Sequence, residues 1–355
     1  MNYVIAGGGT GGHIYPAVAL AERLQSYGNV IMLARSGSRE EEVFASRGLQ
    51  VVAVSSAPLL YSPRSLWHLL QATSSGVRAA RRVMKANHVD AFIGTGGYVS
   101  VPGIVAALMN RIPVYLLEQN TVMGRANKLF ARRARHVFLG FPIDGVSGPR
   151  YLVTGNPLRK ELYAVLKDCR SSSSLRSGLL FLGGSGGALF INDLFLRTIR
   201  ELDRRGVSLD VTVVTGTDDN TRIRSEVDRL KLQHVRPAVF AYEEHMEGIY
   251  CRTRVAVTRG GALALTELAV AGIYAIMIPY PFAVAHHQSK NAEFLEQQNL
   301  GICIEQDSID FDAFVRMVER ALGEASEIQL PARSVFAHDA GDLIAENIVQ
   351  ETRRG

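Results

Sequence analysis

Short apolar runs alternate with amphipathic stretches along the first half of the chain. Helical periodicity is present over Pro16–Tyr27 and Ser65–Lys85. The apolar runs that we predict as strands are Tyr3–Ala6, Val30–Leu33, Val51–Val54, Ala91–Ile93, Val114–Leu117 and His136–Leu139. Alternation of this kind is typical of a parallel sheet with helices on both faces.

The pattern weakens in the middle of the chain and then restarts. Lys167–Gly178 is polar and serine-rich, which predicts a linker or loop. Leu179–Ile199 then repeats the opening pattern of apolar run, glycine turn and helix. Further strands are predicted at Val211–Val214, Val235–Phe240, Val255–Val257 and Ala275–Ile278. We therefore expect two Rossmann-like halves in tandem, and a last helix, Ala340–Arg354, that packs on either half.

Three glycine-rich loops follow predicted strands. They are Gly7–Gly12, the run GTGGYVSVPG that begins at Gly94, and Gly183–Gly187. Free backbone N–H groups at the start of a helix attract anionic groups. One such loop is usually only a tight turn, but three of them at the carboxyl ends of strands favour a phosphate-rich ligand.

The first loop also fits a dinucleotide-binding pattern. Gly7, Gly9 and Gly12 satisfy GxGxxG, and Arg35 at the end of the second strand suits a 2′-phosphate. An NADP-dependent oxidoreductase is therefore an alternative, although an acidic residue arrives only at Glu40. A Walker loop is excluded because no GK[ST] follows.

Polar side chains also stand at the predicted strand ends. His13 follows the first loop, where the positive helix end favours the neutral imidazole that a general base needs. Its alternative is a helix cap or a packed surface residue. Glu118, Gln119 and Asn120 follow another strand, either as a cluster at the same sheet edge as His13 or as an ordinary polar loop.

Charged side chains in the second half have two interpretations each. Arg159 neutralises a diphosphate or forms a structural ion pair. Glu267 accepts from sugar hydroxyls or from a cation, because a buried carboxylate without a partner is costly. His286 and His287 point to different helix faces, and no other ligand cluster occurs in the sequence, so we predict no protein-held catalytic metal.

Composition narrows the class of protein. The chain has 355 residues, is 47% hydrophobic and 21% charged, and carries a net charge of +5, as in a two-domain globular enzyme with anionic partners. The sequence has no concentrated basic stripe of the kind that indicates a nucleic-acid-binding protein. Cys169, Cys251 and Cys303 lie far apart, so we expect neither a disulfide framework nor a zinc ribbon, which fits a reducing compartment. Any membrane contact is expected to be peripheral, because no run is long and apolar enough to span a bilayer.

Seven motifs occur in one order over nearly the whole chain: GGTGGH, GTGGYVS, EQN, GNPLR, GGSGGA, TRGGALALTE and HHQSKNA. In this the sequence resembles the bacterial N-acetylglucosaminyltransferases of peptidoglycan synthesis, the MurG family. The resemblance implies a GT-B α/β fold, two Rossmann-like domains facing across a cleft. It implies inverting transfer of N-acetylglucosamine from its UDP conjugate to the 4-hydroxyl of polyprenyl-diphosphate-linked muramyl-pentapeptide, with no cofactor.

Two other classes stay open beside that family. Another GT-B transferase of UDP-sugars would use the same donor half with a different acceptor half. A membrane scaffold that binds a nucleotide sugar would lack catalysis altogether.

The resemblance also implies site residues and domain roles. Residues 1–160, to which a helix of about 338–355 could return, would face the acceptor and the membrane, and residues 161–337 would bind the UDP-sugar. His13 would be the base, assisted by Glu118. Acceptor contacts would fall on Thr10, Gly11, Gly12, Tyr98 and Asn120, and donor contacts on Arg159, Ser185, Asn192, Glu243, Ala262, Leu263, Glu267 and Gln288. Gly186 departs from the family's usual glutamine, and Gly260 from its usual serine or alanine.

The stretch Tyr61–Lys85 suits either a core helix or a membrane contact. Apolar side chains at Leu66, Trp67, Leu69 and Leu70 precede cations at Arg78, Arg81, Arg82 and Lys85. Apolar anchors beside cations favour an interface with anionic lipid. The family resemblance favours this interpretation, with the protein peripheral at the cytoplasmic face of the cell membrane.

Overall fold

The computed structural model describes residues 1–56, 63–171, 176–184, 187–324 and 334–354, without the side chains of 63–72, 171 and 324. It divides into two compact units. The amino-terminal unit comprises residues 1–160 and 338–355, and the carboxy-terminal unit comprises residues 161–337.

The described strands of the amino-terminal unit form a parallel sheet in the order β3-β2-β1-β4-β5-β6-β7. The strands are β1 (Asn2–Ala6), β2 (Asn29–Ala34), β3 (Gln50–Ala53), β4 (Ala91–Gly94), β5 (Val114–Glu118), β6 (His136–Leu139) and β7 (Tyr151–Val153). The helices are α1 (Gly11–Leu24), α2 (Arg39–Ser46), α3 (Pro63–Ala86), α4 (Ser100–Met109), α5 (Arg125–Phe130) and α13 (Ala340–Arg354).

Both faces of this sheet are covered, which explains why its strands are continuously apolar. Tyr3 and Ile5 point into a core shared with α1, α2 and α13. Val4 and Ala6 point into the opposite core, shared with α3 and α4. Side chains alternate between the two faces of a strand, so each layer of helices meets its own set of strand residues.

The carboxy-terminal unit repeats this architecture with the strand order β10-β9-β8-β11-β12-β13, again parallel. Its strands are β8 (Gly178–Leu182), β9 (Leu209–Val214), β10 (Val235–Phe240), β11 (Thr253–Thr258), β12 (Tyr274–Met277) and β13 (Gly301–Cys303). Its helices are α6 (Lys160–Ser171), α7 (Leu189–Arg204), α8 (Asn220–Leu230), α9 (Glu247–Tyr250), α10 (Ala262–Ala271), α11 (His287–Gln297) and α12 (Phe311–Glu324).

The predicted fold class is confirmed: both units are Rossmann-like α/β sheets, and every predicted strand is present. The sequence missed β7 and β13, which are only three residues long. The predicted linker at Lys167–Gly178 is wrong at its start, because α6 continues to Ser171. The first helix begins at Gly11 rather than Pro16, so Pro16 lies inside the helix.

The last helix packs on the amino-terminal unit. Ile344 and Ile348 of α13 join the same core as α1 and β1. Arg23 of α1 is buried and makes an ion pair of 2.6 Å with Asp339, just before α13. A buried guanidinium needs such a partner, so this pair fixes where α13 begins.

The expectation that the cysteines form no disulfide is wrong. Cys169 near the end of α6 and Cys251 directly after α9 form a disulfide, with a Cα–Cα distance of 5.1 Å across 82 residues of sequence. The Arg176 guanidinium also ties this region together by donating to the carbonyls of Cys169 and Ala271. The sequence did not predict this disulfide, because the two cysteines are far apart in the chain and only the packing of α6 near α9 brings them together.

Replacing Cys251 with serine is expected to lower the free energy of unfolding by roughly 2–4 kcal/mol, because a cross-link over so long a loop restricts the unfolded chain. Thermal melts without reductant measure the loss. Cys303→Ser is the matched control, since Cys303 is a free thiol in the same unit. A count of three free thiols in the non-reduced, denatured protein would contradict the disulfide.

Candidate functional site

Each sheet has one point where its strand order reverses. In the amino-terminal unit β1 lies between β2 and β4, and in the carboxy-terminal unit β8 lies between β9 and β11. Ligands of open parallel sheets bind outside the carboxyl ends of the strands at such a point. The glycine-rich loops after β1, β4, β8 and β11 all begin there.

His13 stands at the reversal point of the amino-terminal unit, half-buried in the first turn of α1. Its Nδ1 lies 2.9 Å from the Thr95 carbonyl and 3.1 Å from Oε1 of Gln119. Both neighbours are acceptors, since the Gln119 amide donates from its Nε2 to the same carbonyl. Nδ1 therefore carries the proton, and Nε2 keeps the lone pair that a base requires.

The imidazole of His13 packs directly against Gly96. Its φ is +99°, and a Cβ there would lie 2.8 Å from Nδ1 and Cε1 of His13. The Thr95 hydroxyl also donates to the His13 carbonyl at 2.8 Å. The backbone after β4 thus holds both the ring and the main chain of His13. Sequence reasoning missed Thr95 and Gly96, although the GTGG motif contains them.

Glu118 organises its own loop. The side chain is 2% exposed, and its carboxylate accepts from the Gly124 N–H at 2.7 Å and from Asn127 Nδ2 at 2.9 Å. It also accepts from the backbone and side-chain nitrogens of Asn120 at 3.3 and 3.4 Å. Within this cluster Gln119 contacts His13, and the assisting role of Glu118 stays a prediction.

The predicted acceptor residues lie around the same loops. Thr10 and Gly12 are exposed, Gly11 is buried and Tyr98 is half-buried. The Tyr98 hydroxyl accepts from Arg35 Nη1 at 2.9 Å. Arg35, the residue suited to a 2′-phosphate, is therefore held beside Tyr98 in this structure.

At the reversal point of the carboxy-terminal unit, α10 carries Glu267 as predicted. Glu267 is half-buried, and its Oε2 accepts from the Tyr250 hydroxyl at 2.6 Å. Ala262 is buried and Leu263 half-buried in the first turn of the same helix. The predicted wall of the nucleotide site thus begins at the end of β11.

The turn after β11 packs tightly against α11. A Cβ on Gly260 would overlap the Gln288 carbonyl, and Asn291 Nδ2 donates to the Gly260 carbonyl at 3.0 Å. This close approach leaves no room for a side chain at Gly260. Gln288 Oε1 accepts from the Tyr280 N–H at 2.9 Å, which ties α11 to the loop after β12.

Arg259 joins the same two loops and was missed from the sequence. Its guanidinium donates to the carbonyls of Ile278 and Pro279 at 3.0 and 3.2 Å and to Gln306 Oε1 at 2.9 Å. It also lies over the ring of Tyr280. Burial lowers the pKa of this guanidinium, yet the carbonyl acceptors hold it in place.

The other predicted donor contacts stay predictions. Asn192 is 1% exposed and donates to the Thr215 carbonyl at 3.0 Å and to Asp219 at 2.8 Å. The Glu243 carboxylate accepts from the His245 N–H at 2.8 Å. Arg159 is half-buried immediately before α6. Ser185 and Gly186 lie outside the described residues.

The predicted membrane segment is described in part. Arg78, Arg82 and Lys85 are exposed along α3, and Arg81 is half-buried. The side chains of Leu66, Trp67, Leu69 and Leu70 lie outside the described ones. No helix in the described ranges is long and apolar enough to cross a bilayer. In the same ranges, no three His, Cys, Asp or Glu side chains are grouped as a metal site would need.

Comparison with known proteins matches both halves of the chain to one glycosyltransferase family. The N-terminal domain model of glycosyltransferase family 28 matches residues 3–139, and the C-terminal domain model of that family matches residues 178–346. One curated relative is the UDP-N-acetylglucosamine--N-acetylmuramyl-(pentapeptide) pyrophosphoryl-undecaprenol N-acetylglucosamine transferase of Francisella philomiragia. It is 32% identical over 98% of this chain and 97% of its own length.

Two further matches agree. The protein of the same name from Syntrophotalea carbinolica is 34% identical over 90% of this chain and 89% of its own length. The crystal structure of MurG from Acinetobacter baumannii superposes with a TM-score of 0.75 at 24% identity, covering 100% of this chain and 99% of that one. This structural match confirms the GT-B α/β fold.

Replacing Gly96 with alanine is expected to displace the His13 ring. The ¹⁵N shifts of the imidazole, which separate a protonated Nδ1 from an unprotonated one, measure the effect. Gly37→Ala is the matched control, because Gly37 also has a positive φ, +66°, but nothing lies within 4 Å of its Cβ position. Both variants should lose stability through backbone strain. Equal imidazole shifts in both variants would contradict the proposed support by Gly96.

Proposed function

The chain belongs to glycosyltransferase family 28, and from that premise we propose which groups it joins and which residues do so. It transfers N-acetylglucosamine from UDP-N-acetylglucosamine to the 4-hydroxyl of lipid-linked N-acetylmuramyl-pentapeptide, in peptidoglycan synthesis. The relatives that share the whole chain length carry this activity in their names. The observation that carries the mechanism is the histidine whose Nδ1 faces two acceptors.

His13 acts as the general base in the amino-terminal unit. With Nδ1–H directed at the Thr95 carbonyl and Gln119, Nε2 takes the proton of the attacking sugar hydroxyl. The hydroxyl attacks the face opposite the leaving UDP, which inverts the anomeric carbon. Thr10, Tyr98 and Asn120 bind the acceptor, and Glu118 keeps the loop of Asn120 in shape.

The carboxy-terminal unit binds the UDP-sugar. Glu267 accepts from the ribose hydroxyls, and the backbone N–H groups of the loop after β8 face the diphosphate. Negative charge grows on the diphosphate as the glycosidic bond breaks. Fixed N–H dipoles stabilise that charge with no reorganisation during the reaction, and Arg159 adds a cation.

The membrane contact belongs to the amino-terminal unit. Arg78, Arg82 and Lys85 lie exposed along one helix, where they can meet anionic lipid from the cytoplasmic face. A peripheral position there gives the enzyme access to an acceptor whose polyprenyl chain stays in the bilayer.

Replacing His13 with glutamine is expected to reduce kcat by ~10²–10⁴, because the base is lost. Transfer of labelled N-acetylglucosamine to the lipid acceptor measures the rate. Binding of UDP should stay unchanged, since the donor contacts belong to the other unit. Near-normal turnover in a folded His13→Gln protein would rule out this base.

Replacing Arg78, Arg82 and Lys85 together with alanine is expected to weaken binding to vesicles of anionic lipid. Each cation near such a surface contributes about 1 kcal/mol, so the triple variant should lose roughly 100-fold in affinity. Co-sedimentation at low and high salt measures this. The control removes three exposed cations of the carboxy-terminal unit, Arg204, Arg229 and Lys231. Equal losses in both triple variants would argue against a membrane site on α3.

A further inference from the structure

A fully buried tyrosine contacts the carboxylate that the proposed function assigns to the ribose. Tyr250 ends the short helix α9 and is 1% exposed. Its hydroxyl donates to Oε2 of Glu267 at 2.6 Å. Glu267 itself is only half-buried. The bond therefore connects a hydroxyl inside the unit to a carboxylate that solvent still reaches.

The backbone holds Tyr250 in this position. Its N–H donates to the Met246 carbonyl at 2.9 Å. The Thr253 hydroxyl donates to the Ile249 carbonyl at 2.8 Å, which fixes the chain on the other side. The next residue, Cys251, is linked by its disulfide to α6. The backbone on both sides of Tyr250 is thus held by contacts other than the bond to Glu267.

The electrostatics define the direction of the bond. Burial and the nearby Glu267 charge raise the pKa of Tyr250 well above its usual value. The hydroxyl therefore stays protonated at neutral pH and donates to the carboxylate. A hydrogen bond to a charged acceptor is about twice as strong as one between neutral groups.

We propose that Tyr250 is a positioning residue for the nucleotide: by holding Oε2, its hydroxyl aims the Glu267 carboxylate at the ribose hydroxyls of UDP. The inference rests on the proposed function, in which Glu267 meets the ribose. The same short segment begins near Glu243, which is also predicted to contact the donor. One stretch of chain, 243–250, then carries one predicted donor contact and positions another.

The consequence is selectivity for a ribose with free hydroxyls. A carboxylate that is already oriented binds these hydroxyls without first losing side-chain freedom. Without the Tyr250 hydroxyl the carboxylate has one restraint fewer, so more of its ordering falls to the ligand. Tyr250→Phe removes only the hydroxyl oxygen, so it tests this step with little change in the packing of the ring.

Calorimetric titration with UDP and with 2′,3′-dideoxy-UDP provides the test. The wild-type protein should prefer UDP. In Tyr250→Phe the affinity for UDP should fall about tenfold, the value of one hydrogen bond to a charged group. Affinity for the dideoxy analogue should barely change, and KM for the UDP-sugar should rise more than kcat falls.

The controls separate positioning from a structural role. Tyr274→Phe removes a half-buried hydroxyl from the first residue of β12 and should keep the preference for UDP. Glu267→Gln should lose the preference, and adding Tyr250→Phe to it should cause no further loss, because the two residues act as one unit. Glu267→Asp shortens the side chain away from Tyr250, keeps the buried ring, and should also lose the preference.

Each result decides between the two claims. A wild-type protein that does not bind UDP would overturn the proposed function itself. If the wild type prefers UDP and Tyr250→Phe keeps that full preference, the proposed function stands and the positioning role of Tyr250 is wrong. Additive losses in the double variant, or an unchanged preference in Glu267→Asp, would also overturn it.

Discussion

The candidate site depends on one constraint, the close packing of loops at the carboxyl edges of two parallel sheets. In each unit a glycine of one loop lies directly against a side chain or a carbonyl of another segment. Strand order reverses at β1 and at β8, so neighbouring loops leave the sheet in opposite directions and free a surface between them. Those loops still pack closely. The His13 ring lies on Gly96, and the Gln288 carbonyl lies on Gly260. A side chain at either glycine would occupy the space that now belongs to a site residue.

In the amino-terminal unit this packing restrains the imidazole that we propose as the base. An imidazole becomes a useful base only when one nitrogen is held as a donor, because the other then keeps its lone pair. The Thr95 carbonyl and Gln119 supply that restraint at Nδ1. Glu118 contributes indirectly. Its carboxylate accepts hydrogen bonds from the loop that follows β5, to which Gln119 and Asn120 belong. The geometry of the candidate site in this unit therefore depends on backbone groups as much as on charged side chains.

In the carboxy-terminal unit the restraint comes from buried polar groups. Arg259 ties the loops after β11 and β12 through carbonyl oxygens, and Tyr250 ties α9 to α10 through Glu267. The disulfide between Cys169 and Cys251 adds a covalent restraint next to Tyr250. Such contacts are costly if one partner is missing, so together they keep the predicted nucleotide wall rigid.

The sequence by itself determined the two α/β units, their strands and the loops that carry the site. Apolar runs at strand length, glycines after them and ordered motifs are local signals, and local signals are sufficient for elements of this kind. That is why His13, Glu267 and the glycine loops were placed correctly in the fold. Short edge strands such as β7 lack that signal, because three residues are too few to show a period.

Only the tertiary structure decided which groups meet. The structure identifies the partners of His13 and Glu267 and shows that Arg259 is buried. It also shows the disulfide between Cys169 and Cys251 and the packing of α13 on α1. These contacts join residues that are separated in the sequence. Distances between such residues depend on how whole helices pack on a sheet. The spacing of residues along the sequence does not predict that packing. The chemistry of the candidate site depends on the packing.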